Sequence, residues 1–170
     1  MNEVVLNNFD RATHELVTLL SSLTEEELNK VPFENSWTAG QLGDHLFKSY
    51  AVVEILNGQV ESTSRHPNEK LQDIKKLFFN FEIKMDSPKE ILPTDEFIKK
   101  EVLLYGLKKR IKEQRNVILN KDLTKICTDF SIPEYGDFTR MEWIGFNTIH
   151  TQRHVQQLKN IISHLKTNNT

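Results

Sequence analysis

Residues 138–165 read FTRMEWIGFNTIHTQRHVQQLKNIISHL, and the fold turns on how this stretch is placed. Thr139 and Glu142 have the spacing of a capping box: the threonine hydroxyl accepts the third helical N–H, and the glutamate reaches back to the cap. Phe138 before the cap and Trp143 beyond it have the spacing of a hydrophobic staple. From there Trp143, His150, His154, Leu158, Ile161 and Leu165 recur on one face at about 100° per residue. The spacing predicts a helix running to about Leu165, followed by a polar tail over 166–170. His150 and His154 sit on its apolar face. Residues four apart on a helix have Cβ atoms about 5–6 Å apart, a separation that suits two imidazoles meeting one metal ion.

A second stretch, WTAGQLGDHL at 37–46, repeats the device. Thr38 and Gln41 form a capping box, and Trp37 and Leu42 a staple. This predicts a second main helix to about Leu56, ended by Asn57-Gly58. His45 lies two turns in, at the edge of a stripe holding Leu42, Leu46, Val52, Val53 and Leu56. Facing helices pack about 8–10 Å apart, so histidines from both sides can reach a shared point.

The rest of the chain reads as helix with two long connections. Val5, Phe9, Ala12, Leu16 and Leu19 make the stripe of a first helix over Asn2–Ser22. Thr24 and Glu27 cap a short helix that Pro32 stops. Residues 58–93 form a crossover with an irregular helical segment from Leu71 to Phe81. A third main helix runs from about Asp95 to Leu119 on Phe97, Leu104, Leu107, Ile111 and Ile118, with a solvated basic face that includes Lys108, Lys109 and Lys112. The expectation is an all-α single domain over 1–170: a four-helix bundle, up-down-down-up, with the long crossover between the second and third main helices.

Composition narrows the function. With 22 basic and 24 acidic residues the formal net charge is −2, so no basic field exists to hold nucleic acid. No unbroken apolar run approaches the roughly 20 residues of a spanning helix, and no membrane partner is expected. The opening residues lack a basic stretch followed by an apolar one, so a cytoplasmic protein is expected. Cys127 is the sole cysteine and reads as a small buried residue. His14, His66 and His164 read as solvated.

A polar group buried without a partner costs about 1–3 kcal/mol. Inward-facing His45, His150 and His154 need either hydrogen-bond partners in the core or a common ion. A divalent metal such as zinc, nickel or iron would satisfy all three and leave a coordination position open. Spacing alone leaves both readings standing. Gly43 and Gly145, each about 1 kcal/mol worse than alanine inside a helix, point to close backbone approach or substrate access. Asp44 is a candidate support for a ligand. Gln41 and Gln157 are within reach of the site, with Gln157 placed to hydrogen-bond an imidazole. Trp37 reads first as a staple and second as a substrate platform.

At these residues the chain resembles the DinB-like family of metal-binding helical bundles. Residues 37–46 look like the family's tryptophan-led helix start with its histidine ligand. Residues 150–157 look like its last-helix HxxxH followed by glutamine, and 136–139 like the usual lead-in. The resemblance implies a three-histidine site of His45, His150 and His154, the up-down-down-up bundle, and a homodimer. It implies a metal-dependent enzyme of the bacillithiol-like S-transferase type or a hydrolase, acting on a small-molecule substrate with a low-molecular-weight thiol. The alternative is a non-catalytic metal- or small-molecule-binding stress module. Val155-Gln156 replaces the second histidine or Arg-Gly that family members often carry after the last ligand.

Overall fold

The computed structural model describes residues 2–167. Its elements are α1 (Asn2–Ser22), α2 (Glu25–Asn29), α3 (Ala39–Ser49), α4 (Val52–Asn57), β1 (Val60–Glu61), α5 (Leu71–Phe78), α6 (Lys100–Asn120), β2 (Ile126–Cys127) and α7 (Arg140–Thr167), with a 3-10 turn at Lys89–Ile91. The protein is predominantly helical. α1 packs on α6 and α7, α3 on the same two helices, and α5 on α7.

The three capping boxes form as their spacing predicts. Thr24 with Glu27, Thr38 with Gln41 and Thr139 with Glu142 each exchange hydrogen bonds in both directions. Each cap satisfies two donors that a helix start leaves open, and is worth about 1 kcal/mol. The rings of Phe138 and Trp143 lie 5.1 Å apart, as a staple requires.

Four expectations about elements are corrected. The second main helix is not continuous: it tightens at Tyr50 and Ala51 into i→i+3 bonds, Ala51 N–H to Lys48 O and Glu54 N–H to Ala51 O. Two side chains account for this. The Arg110 guanidinium donates to Phe47 O, the carbonyl that an α-helical Ala51 N–H would use, and the buried Tyr50 hydroxyl meets Thr151 Oγ1 on α7 at 2.7 Å. The third main helix begins at Lys100 rather than near Asp95, because Asn29 takes both the N–H and the C=O of Ile98 and Lys99 at the cap is extended. The Glu25 carboxylate then accepts the Lys100 N–H at the helix start. Phe97, expected on the stripe, is therefore outside the helix and 59% exposed. The crossover helix stops at Phe78, short of Phe81. The chain also contains strand: β1 and β2 pair antiparallel, with Val60 opposite Cys127.

Two apolar clusters share the interior. One joins Leu16 and Leu20 of α1, Leu42 and Leu46 of α3, Leu107 of α6 and Leu158 of α7. The other gathers Phe9, Leu56, Ile118, Phe138 and Ile144. Each large side chain so buried contributes roughly 1.5–3 kcal/mol. Buried cations and carboxylates tie the connections to this frame. Arg140 donates to Leu56 O at the end of α4 and to Asp122 O. Glu142, fully buried, takes both arms of Arg65 and the Lys70 N–H, which moors the start of the crossover to the start of α7. Gly145 lets α5 approach, since a Cβ there would stand 2.5 Å from the Leu71 side chain. Gly43 does the same for Leu103 at 2.8 Å. The close backbone approach expected from the sequence is not what these two glycines serve: leucine side chains, Leu71 at Gly145 and Leu103 at Gly43, occupy the space of the missing Cβ.

Candidate metal centre

α3 carries His45 between Leu42 and Leu46, two leucines fully buried in the core, so its imidazole faces α7. α7 presents His150 and His154 one turn apart on its buried face. The three rings are 1%, 7% and 8% exposed. His45 Nε2 and His150 Nε2 are 3.0 Å apart, and so are His154 Nε2 and His150 Nε2. One ligand atom from each histidine lies within 4.8 Å of the other two. The structure thus brings together all three residues singled out from the sequence. His14, His66 and His164 are exposed and far from the role, as expected.

The far sides of two rings determine what the near sides offer. His45 Nδ1 donates to the carbonyl of Ile91 at 2.8 Å. A carbonyl only accepts, so in neutral His45 the proton is on Nδ1 and Nε2 carries a lone pair. His154 Nδ1 stands 2.9 Å from Gln157 Oε1, and with the amide in that orientation the same holds there. Second partners of this kind set the tautomer of metal-binding histidines. Two lone pairs then face His150 Nε2, and a single proton on that nitrogen serves one of them at a time. A cation would serve all three. His150 Nδ1 is buried with no partner; its ring is held by Phe146, near-parallel at 6.0 Å, and by the edge of Phe78. The donor set therefore fits a divalent ion.

Burial keeps these imidazoles neutral. It lowers His150 well below the usual histidine value, and repulsion from a proton on His154 or His45, and from Arg153, pushes the same way. His154 is pushed down to about 3 by burial, with His45 adding to it and the Gln157 bond opposing it. His45 is lowered by burial and partly restored by its bond to Ile91. Neutral imidazoles are the form that binds metal.

The surroundings separate the other candidates. Gln157 bonds an imidazole, as expected. Gln41 does not reach the triad; its amide is taken by the Thr38 cap, Thr94 O and Asp95. Asp44 touches no imidazole directly. It accepts the Thr94 N–H and pairs with Lys48 at 2.9 Å, while Lys48 donates to Leu92 O, so the two fasten the segment whose carbonyl holds His45. The Trp37 ring lies against His45 at 5.1 Å and nearly parallel to His154 at 6.3 Å. Cys127 is fully buried in β2, where burial pushes its thiol up to about 11. Arg153 escaped the sequence reading. It sits between the paired histidines and donates to three carbonyls, those of Phe78, Asn80 and Ile83. The HTQRH spacing was visible; partners seventy or more residues away leave no local mark.

The molecule defined this far is a helical protein with a buried cluster of three neutral histidines able to hold one divalent ion. It belongs to the DinB superfamily, whose family profile matches residues 8–158. It is similar to the Bacillus subtilis (strain 168) uncharacterized protein YuaE, with 23% identity over 163 residues covering 90% of this chain and 94% of that one. No solved structure matches it significantly. No helix among the described residues is long and apolar enough to cross a membrane.

Proposed function

We propose that the protein is a metal-dependent enzyme of the thiol S-transferase type, in which His45, His150 and His154 hold one zinc, nickel or iron ion. The fold this reading uses is the up-down-down-up four-helix bundle of α1, α3–α4, α6 and α7. The observation that carries it is the meeting of one ring nitrogen from each of three histidines within 4.8 Å, two of the rings with their proton held on Nδ1 by an outer partner. Three neutral donors leave the ion its full charge and open positions.

When bound, the ion would supply a Lewis-acidic centre that favours the ionised form of a thiol at neutral pH. The chain's own residues do the rest. Ile91 O and Gln157 Oε1 hold two rings with their lone pairs inward. Phe78 and Phe146 wall His150 and limit water. Cys127 stays protonated and enclosed, so the nucleophilic sulfur comes from a low-molecular-weight thiol in solution. In the reaction that thiol's sulfur bonds to an electrophilic carbon of a small substrate, the leaving group departs with the bonding pair, and the thiol proton passes to solvent. A hydrolase would use the same centre with water in place of the thiol.

One observation favours a second reading, a non-catalytic binding module: all three rings are less than a tenth exposed. Loading the purified protein with zinc or nickel and following consumption of a low-molecular-weight thiol with an alkylating electrophile separates the two. Metal-dependent conjugation, lost in His154→Ala, supports the transferase. Metal-loaded protein that neither conjugates nor hydrolyses leaves the binding module.

A further inference from the structure

Residues 79–90, the part of the crossover between α5 and the 3-10 turn carbonyl at Ile91, contain no buried residue. Nothing in this segment is anchored by a side chain in the core. Its attachment lies at its two ends, and both ends are attached to the helices that carry the histidines. At the start, the Arg153 guanidinium of α7 donates to Phe78 O at 2.7 Å, Asn80 O at 3.1 Å and Ile83 O at 2.8 Å, and its Cζ lies 5.4 Å from the centre of the Phe81 ring. At the finish, His45 of α3 donates to Ile91 O and Lys48 to Leu92 O. The segment is a strap from α7 to α3.

We infer that Arg153 is a positioning residue: it clips this strap to α7, holding Phe78 beside His150 directly through the Phe78 carbonyl and, through the strap, setting Ile91 O against His45. The inference takes the three-histidine metal reading as its basis for the role, while the clip itself stands on the contacts alone. A planar guanidinium with five donors can gather three carbonyls from one loop, which a lysine ammonium on a flexible stem matches poorly. The residue follows from its neighbours in space: it shares a helical turn with His150 and His154, so any shift of the strap is felt at the triad. Because Arg153 spends its donors on backbone carbonyls, it is a structural clamp rather than a docking point for an anionic substrate.

The test uses the full-length chain. Limited trypsin digestion of the metal-free protein reads the clip, because Lys84 and Lys89 are exposed within the strap. Arg153→Gln is expected to be cut at these two lysines about tenfold faster than wild type, with Arg153→Lys in between and the main thermal transition nearly unmoved. Zinc affinity by titration, and the visible absorption of the cobalt-substituted protein, read the positioning. Arg153→Gln is expected to bind zinc about tenfold more weakly, the low end of what outer partners of a metal ligand contribute, with a changed cobalt spectrum that Arg153→Lys partly restores. Cleavage at the wild-type rate overturns the clip. Faster cleavage with unchanged zinc affinity and cobalt spectrum overturns the positioning role. Wild-type protein that binds neither zinc nor cobalt overturns the positioning role together with the metal reading, whereas the digestion still decides the clip.

Discussion

His45 Nε2 and His150 Nε2 lie 3.0 Å apart although 105 residues separate them in the chain. Two imidazole nitrogens at that distance are tolerable when one is protonated or when a cation lies between them. His154 Nε2 at the same distance from His150 removes the first solution for one of the three. Purified protein titrated with zinc should therefore bind about one ion per chain. His45→Ala and His154→Ala should each weaken binding by more than ~100-fold, beyond the ~10–100-fold effect of outer partners. His14→Ala and His164→Ala should bind as wild type. Calorimetry and metal analysis check this, and a wild-type protein that stays metal-free in excess zinc and nickel ends the metal reading.

Acid should destabilise the metal-free protein through the same three rings. An unfolded histidine titrates near ~6.5, whereas folded His154 is held at about 3 and His150 well below its usual value. Between those values the unfolded chain binds protons that the folded chain refuses, so stability rises with pH across the window and falls as pH drops from about 6.5 toward 3. Urea denaturation at several values between about pH 7.5 and 5.5 reads the slope. His154→Gln, which removes one titrating group, should decline less steeply than wild type. Equal slopes in the two proteins would contradict the buried, neutral assignment.

The three histidines were legible in the sequence because each lies on a helix whose cap and apolar stripe are local signals. Thr38 with Gln41 sets the start of α3 and Thr139 with Glu142 that of α7, and counting from the cap places the rings inward. What stayed illegible depends on side chains reaching distant backbone. Asn29 takes both backbone groups of Ile98 across 69 residues and delays α6. Arg153 and Arg140 bind carbonyls that no sequence pattern ties to them. β1 and β2 are two residues each, too short for an alternation to register. Gln114 shows the limit of reading a stripe by hydrophobicity: it occupies a fully buried position on α6 and accepts the Asn147 amide.

Glu142 is the buried carboxylate that ties the crossover to α7. It is fully buried and accepts from Thr139 N–H, Lys70 N–H and both arms of Arg65. Burial alone would raise its pKa, but the hydrogen bonds from Arg65, Thr139 and Lys70 outweigh that and hold it below the usual carboxylate range. Glu142→Ala removes a cap, orphans two N–H groups and leaves Arg65 without its counter-charge. The expected loss is about 3 kcal/mol, the lower part of the range for breaking a buried pair, since Arg65 keeps some access to water. Chemical denaturation measures it. A loss within ~0.5 kcal/mol, typical of surface substitutions, would mean that Glu142 does not hold the crossover to α7.

The cysteine offers a check on where the reacting sulfur originates. Cys127 is fully buried opposite Val60 in the two-stranded sheet, and its thiol is pushed up to about 11 by burial, opposed by Arg140 and reinforced by Asp129. A thiol reacts as the thiolate, so native protein should resist iodoacetamide near pH 8, while protein unfolded in guanidinium should be modified at one site. Mass spectrometry of the intact chain reads both. Cys127→Ala should accordingly keep any metal-dependent conjugation of an added thiol at the wild-type rate and reduce only stability, by about 1 kcal/mol for a small buried side chain. Loss of conjugation in a variant that still folds and binds zinc would make Cys127 part of the chemistry and overturn the assignment of the nucleophile to a thiol from solution.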